Sequence, residues 1–208
     1  SVFLCARQEE TLRSLADELF GKYPDIAVYY RCCDVSVKKE LKDFAAWVSD
    51  LAGTVDILIN NAGAFIRGEV HAEPEGVLEQ LMETNVYSAY CLSRAFLPVM
   101  MARKSGHIFN ICSIASLKAY PYGGSYGITK YAFAGLSANL RDEMKQYGIK
   151  VTSVFPGAAF TASWEGSGIN RSRFMEAADI AEMVFAAANL SPQACVEEIV
   201  IRPQQGDL

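Results

Sequence analysis

Short apolar runs rich in β-branched residues alternate along this chain with longer stretches whose apolar residues recur at helical spacing. That alternation admits little except βαβ units joined into a parallel sheet. Residues 2–6 read as a strand, after which Leu12, Leu15, Ala16, Leu19 and Phe20 share one helix face. A strand over residues 26–33 precedes a second apolar face made of Leu41, Phe44, Ala45, Val48 and Leu51, with Ser36 as its expected N-cap and Gly53 as its stop. Residues 55–60 form a third strand. Beyond it come a long helical stretch over about residues 74–103, a strand over 106–113, a helix from about 125 to 147, a strand over 149–155, a helix from about 178 to 189 and a last strand over 196–201. Six strands separated by helices predict an α/β fold with an open, doubly wound parallel sheet in a single domain, whose ligands bind at the carboxyl ends of the strands.

Composition narrows the function classes. With 208 residues, 51% of them hydrophobic, the chain suits one domain with a sizeable core. No apolar run approaches the roughly 18 residues a membrane span needs. Acidic residues outnumber basic ones, 24 to 19, for a formal net charge of −5, which gives no electrostatic footprint for nucleic acid. The six cysteines show no C-x-x-C spacing, and only His71 and His107 are available as imidazole ligands, so reduced thiols, no metal site and a cytoplasmic location are expected. The opening Ser-Val-Phe-Leu-Cys-Ala-Arg has neither the basic nor the long apolar region of a signal peptide and reads as a strand from within a protein.

The strand ends hold the chemistry. Arg7 follows the first strand where a dinucleotide fold usually places an acid, and a guanidinium there suits a ribose 2′-phosphate; a surface Arg opening the next helix is the plain alternative. Asp34, before Val35, can accept from an adenine amino group or simply cap a turn. The third strand ends in Asn60-Asn61-Ala62-Gly63, whose small residues let a ligand approach the backbone. Tyr126 and Lys130 lie four residues apart at the start of a helix, so they share a face. Ser113 stands thirteen residues before Tyr126 at a strand end, and Asn85 forty-one before it within the long helix.

These elements, with Pro156-Gly157 leading to Thr161, occur in the order and spacing of the classical short-chain dehydrogenase/reductase family, which the chain resembles from Val2 to about Gly206. The resemblance implies a Rossmann-type fold, and it also exposes a departure. The family opens with a strand, a Gly-x-x-x-Gly-x-Gly turn and a helix that cradle a pyrophosphate, and Ser1 aligns with the family's second strand. Residues 1–208 are thus expected to be an N-terminally incomplete NAD(P)-binding domain.

By resemblance, Tyr126 is the proton donor to a carbonyl that receives hydride from nicotinamide, and Lys130 is the cation that favours its phenolate and binds the nicotinamide ribose. Ser113 then holds the substrate oxygen, while Asn85 opens its helix and holds a water. Cofactor contacts are expected from Arg7, Asp34, Val35, Asn61, Ala62, Gly63, Tyr126, Lys130, Pro156, Gly157, Ala159 and Thr161, with NADP(H) preferred over NAD(H). The stretch from Ala158 to Trp164 corresponds to the family's substrate lid. Phe65, Tyr120, Phe160 and Trp164 are aromatic candidates for a substrate pocket, with core packing as the alternative for each. The chain's ending is similar to bacterial sepiapterin reductase-type members, where Asp207 would meet a pterin edge. Apolar surface on the helices bearing Leu92, Phe96, Val99 and Met100 and Phe133, Leu136, Leu140 and Met144 suggests a homodimer or homotetramer. The expected activity is NADPH-dependent carbonyl reduction on a small-molecule substrate. The alternative, a non-catalytic NADP-binding regulatory protein, has no need of the tyrosine acid.

Overall fold

In the computed structural model, which describes residues 1–161, 164 and 166–208, the alternation becomes six parallel strands. β1 (Val2–Ala6) and β2 (Val28–Cys32) pair from Val2↔Val28 to Ala6↔Cys32, joined by α1 (Glu9–Lys22). β3 (Ile57–Asn60), β4 (Gly106–Ile111), β5 (Ile149–Pro156) and β6 (Glu198–Ile201) form a four-stranded sheet in that order. The sheet is therefore in two parts, and among the described residues no ladder joins them. What joins them is α2 (Lys38–Ala52), whose Phe44, Ala45 and Val48 share one core with Leu58 of β3, Leu92 and Met100, with Phe3 and Cys5 of β1 packed against it. On the other face of β3, Ile57 and Ile59 stay 46% and 50% exposed. Apolar side chains on a parallel strand are ordinarily covered on both faces.

The elements follow the sequence pattern with instructive trims. β4 ends two residues early, and β3 ends at Asn60 as expected, because in both the next N–H turns back two residues, Cys112 to the Asn110 carbonyl at 3.0 Å and Asn61 to that of Ile59 at 3.1 Å. These turns detach Asn61, Cys112 and Ser113 from the ladder. Ser36 does not cap α2: Val37 takes the N-cap position, and both the N–H and hydroxyl of Ser36 donate to Asp34 Oδ1, at 2.9 and 2.6 Å. Gly53 ends α2 in the left-handed region at φ 66°, as expected of a helix stop. On α1 only Leu12 and Ala16 are buried, since the helix covers just two strands, and Leu15 and Phe20 face outward. The long helical stretch is α3 (Val77–Met82), one wide π turn over Glu83–Tyr87 and α4 (Ser88–Arg103). α5 (Gly124–Met144) and α6 (Ala177–Ala188) complete the layers, α6 packing Ala187 against Phe109, Val154 and Ile199. All six cysteines are free, and no helix among the described residues is long and apolar enough to cross a membrane.

A buried polar ladder fixes the strand register just ahead of the strand ends. Asn60, Asn110 and Ser153 lie side by side on β3, β4 and β5. Asn60 Nδ2 donates to Asn110 Oδ1 at 2.8 Å, Asn110 Nδ2 to Ser137 Oγ of α5 at 2.9 Å, and Ser153 Oγ to the same Ser137 oxygen at 2.7 Å. A one-residue slip would strand these groups in an apolar interior. Replacing Asn110 by Ala removes two of the three bonds and leaves partners unpaired, so urea unfolding should register a loss of about 2–4 kcal/mol. A loss below about 0.5 kcal/mol would show that the ladder does not fix the sheet.

Candidate active site

At the carboxyl ends of β3, β4 and β5 the detached strand tips border a cavity of about 1030 Å³ whose lining includes Asn61, Ser113, Tyr126, Pro156, Gly157 and Thr161. Phe65, Tyr120 and Trp164 supply aromatic wall, Ala159 lies beside them, and Arg202 and Asp207 also face the space. The cavity continues along Ile57 and Ile59 to Val184 and Phe185 of α6, over the part of the sheet at β3 that α6 leaves exposed.

Ser113 is almost fully buried, with its Oγ accepting the Ala115 N–H at 3.1 Å and its hydroxyl close enough to the Tyr126 phenol to lower that group's pKa. Tyr126 sits in the first turn of α5 with the Phe65 ring edge-on against its own, centroids 4.9 Å apart at 86°. One turn on, Lys130 is only 6% exposed. Its Nζ donates to the carbonyls of Ile111 and Cys112 at 3.0 and 3.1 Å and lies 5.7 Å from the Tyr126 ring centroid. The turn that ends β4 is thus what presents two carbonyls to a buried ammonium.

The wide π turn aims Asn85 at the loop after β3. Its Oδ1 accepts the Ala64 N–H at 2.7 Å, and its Nδ2 donates to the Ala64 carbonyl at 3.0 Å and to Thr129 Oγ1 at 3.0 Å. Thr129, fully buried, donates onward to the Tyr126 carbonyl at 2.8 Å. Asn85 therefore clamps the backbone after Gly63 to the helix of Tyr126 and Lys130. A Cβ at Gly63 would stand 3.4 Å from Asn85 Oδ1 and 3.8 Å from Lys130 Nζ, so the chain at Gly63 runs directly over the lysine.

Burial moves both titrating groups. It pushes Lys130 down to about 8 and holds the Tyr126 phenol above its ordinary value, with the Ser113 hydroxyl pulling it only partly back. The sequence led us to expect Lys130 to favour a phenolate. Here desolvation prevails, because the ammonium is turned to the strand-end carbonyls. Cys112, between them, is pushed up to about 12 by burial and stays a thiol.

The remaining sequence candidates divide. Arg7 and Asp34 lie at the ends of β1 and β2, away from the cavity lining; the positive charge of Arg7 helps to lower the Asp34 carboxyl, after the two Ser36 hydrogen bonds that dominate. Asp34 thus makes the turn bond of the plain alternative, and Val35 packs on the core. Phe160 does not join the pocket: its ring meets Phe174 at 5.7 Å, with the Arg171 guanidinium 4.7 Å over it. Trp164 also leans on Phe174, at 5.0 Å, while Ala162 and Ser163 of the same stretch lie outside the described residues. Asp207 is ion-paired with Arg202 at 2.8 Å. Sequence reasoning missed Thr129, whose place three residues after Tyr126 and directly before Lys130 was the available signal. It also missed Arg202.

The sequence profile described as short chain dehydrogenase matches residues 1–171. The chain belongs to the short-chain dehydrogenase/reductase family. It is 30% identical over 176 residues to a sepiapterin reductase of Chlorobaculum tepidum, covering 84% of this chain and 72% of that protein. Among solved structures, a metagenomic short-chain oxidoreductase in complex with NADP superposes with a TM-score of 0.83 at 30% identity, covering 97% of this chain and 85% of that one. An alcohol dehydrogenase from the archaeon Thermococcus sibiricus, complexed with 5-hydroxy-NADP, gives 0.88 at 26% identity over the same shares. As a member of this oxidoreductase family, the chain has the family's Rossmann-type fold, and these likenesses support use of a nicotinamide cofactor.

Proposed function

We propose that this protein is an NADP(H)-dependent oxidoreductase that reduces a small-molecule carbonyl to an alcohol, and runs the reverse reaction, with Tyr126 as the acid and base. The observation that carries this reading is that Ser113 and Tyr126 share the wall of the cavity, with the buried Lys130 ammonium 5.7 Å from the Tyr126 ring. At the nicotinamide end the residues fit such a cofactor: Asn61, Pro156, Gly157 and Thr161 line the cavity at the strand ends, with Ala62 and Gly63 next to Asn61 in the loop over Lys130 and Ala159 beside Gly157. When bound, the nicotinamide supplies the hydride.

The chain's own groups handle the oxygen. As negative charge builds there, the Ser113 hydroxyl donates to it and Tyr126 gives up its proton. A phenol held above its ordinary pKa carries its proton at neutral pH, the form that acts as the acid when a carbonyl is reduced. Lys130, with a pKa near 8, lies close enough to neutrality to exchange protons in the cycle. Replacing Tyr126 by Phe keeps the ring contact with Phe65 and removes the acid, so kcat/KM for NADPH-dependent carbonyl reduction should fall about a hundredfold or more. Equal rates for the two proteins would end this reading.

NADP(H) is favoured over NAD(H) because Arg7 stands at the end of β1, where a cation suits a 2′-phosphate. The preference should narrow or reverse in Arg7→Asp, and an unchanged NADPH-to-NADH ratio of kcat/KM would contradict it. At the pyrophosphate end the described residues do not fit: among them no glycine-rich turn stands between the two parts of the sheet, and β3 is an edge strand with Ile57 and Ile59 exposed. Sepiapterin-like substrates belong in the substrate panel because of the pocket aromatics Phe65, Tyr120 and Trp164. The six free thiols fit a cytoplasmic location. Of the residues expected to form an oligomer face, Leu92, Phe96, Met100, Phe133, Leu140 and Met144 are instead buried in this chain's own core; exposed Tyr87, Tyr90 and Val99 of the long helical stretch and Ile128 and Tyr131 of α5 remain as an apolar face for a homodimer or homotetramer, which sedimentation equilibrium would contradict by giving only monomer.

A further inference from the structure

We propose that Glu73 is a positioning residue for Tyr126, acting as a helix cap supplied from a distant loop. α5 begins with Gly123 in the N-cap position, so the residue that ordinarily satisfies the first-turn N–H groups has no side chain to do it. Glu73 fills that role from 52 positions upstream. Its Oε1 and Oε2 accept the Ser125 N–H at 2.9 and 3.2 Å, and Oε2 also accepts from the Ser125 hydroxyl. The carboxylate forms no ion pair among the described residues, so these donors and the positive end of the helix are what hold it.

Two glycines make room for it. A Cβ at Gly68 would lie 2.5 Å from Glu73 Cγ, and one at Gly124 would run into Glu73 Oε1 and stand 2.7 Å from the Gly68 carbonyl oxygen. Gly124 also has φ 39°, in the left-handed region. The same loop is fastened to the approach to α5 at further points: the Gly68 N–H donates to the Tyr122 carbonyl at 3.2 Å, and the Arg67 guanidinium lies 4.4 Å over the Tyr122 ring. Phe65, earlier in that loop, meets the Tyr126 ring itself. Tyr126 follows Ser125 directly. The loop after β3 thus holds the tyrosine from two sides, at its ring through Phe65 and at the backbone of the preceding Ser125 through Glu73.

The consequence is a division of labour. Asn85 and Thr129 hold the Lys130 side of the first turn, and Glu73 holds the Tyr126 side, which keeps the phenol against Ser113. This inference rests on the reading of Tyr126 as the acid, and amide exchange, which needs no turnover, tests it separately. In Glu73→Ala, exchange at the Ser125 and Tyr126 amides should rise about tenfold. For the carbonyl substrate on which the wild type turns over best, kcat should fall about tenfold to a hundredfold with KM within about twofold, as expected of a displaced acid. Glu73→Gln retains an amide oxygen for the Ser125 N–H and should restore both values to near wild type. If Glu73→Ala does not fold, Ser125→Ala, which removes one donor, should move exchange the same way by a smaller step. Wild-type exchange at these amides in both Glu73→Ala and Ser125→Ala would overturn the inference, as would a rise in KM at unchanged kcat. If the wild type reduces no carbonyl, the reading of Tyr126 falls, and exchange alone still decides whether Glu73 caps this turn.

Discussion

A buried ammonium organises this molecule. Lys130 sits on α5 with almost no solvent contact, and an unpaired charge in that position would cost several kcal/mol. The chain meets the cost with two carbonyls, those of Ile111 and Cys112, which are available because β4 ends in a tight turn and leaves the ladder there. The lysine therefore depends on where β4 stops, and the position of Ser113 depends on the same turn.

The register that sets this stop lies one layer below. Asn60, Asn110, Ser137 and Ser153 tie three strands to α5 just before the strands give out, so the helix bearing Tyr126 and Lys130 is indexed to the strand ends by hydrogen bonds as well as by packing. Asn85 and Thr129 repeat the device nearer the surface, tying the loop after β3 to the same helix. Burial then sets the chemistry: it keeps the proton on Tyr126 and loosens the one on Lys130. A phenol and an amine with ordinary pKa values close together are displaced in opposite directions by one low-dielectric environment.

Much of this was legible in the sequence. Alternating apolar periods identified all six strands and the principal helices, and the spacing of Asn85, Ser113, Tyr126 and Lys130 pointed to residues that converge on one helix and one strand end. Local patterns failed where the deciding partner is remote. Ser36 looked like an N-cap, yet its donors are taken by Asp34. Phe160 looked like pocket wall and packs on Phe174 and Arg171. Nothing near Glu73 signals a role at Ser125, because the contact exists only once β3 and α5 are in place. The direction of the Tyr126 shift was equally hidden, since it reflects burial that spacing does not encode.

Lys130 is buried, and burial depresses its pKa. Nζ resonances of lysine labelled with nitrogen-15, assigned with Lys130→Met, should show one group titrating near 8, while an exposed lysine titrates near 10.4. The linkage has a definite sign. Burial lowers the folded-state value, so below pH 8 the charged form is carried at a cost to stability. That cost is relieved as pH rises from about 8 toward 10.5, where the unfolded chain still binds the proton and the native one does not. A midpoint for Lys130 near 10.4 would mean that the ammonium is solvated, and would contradict the account.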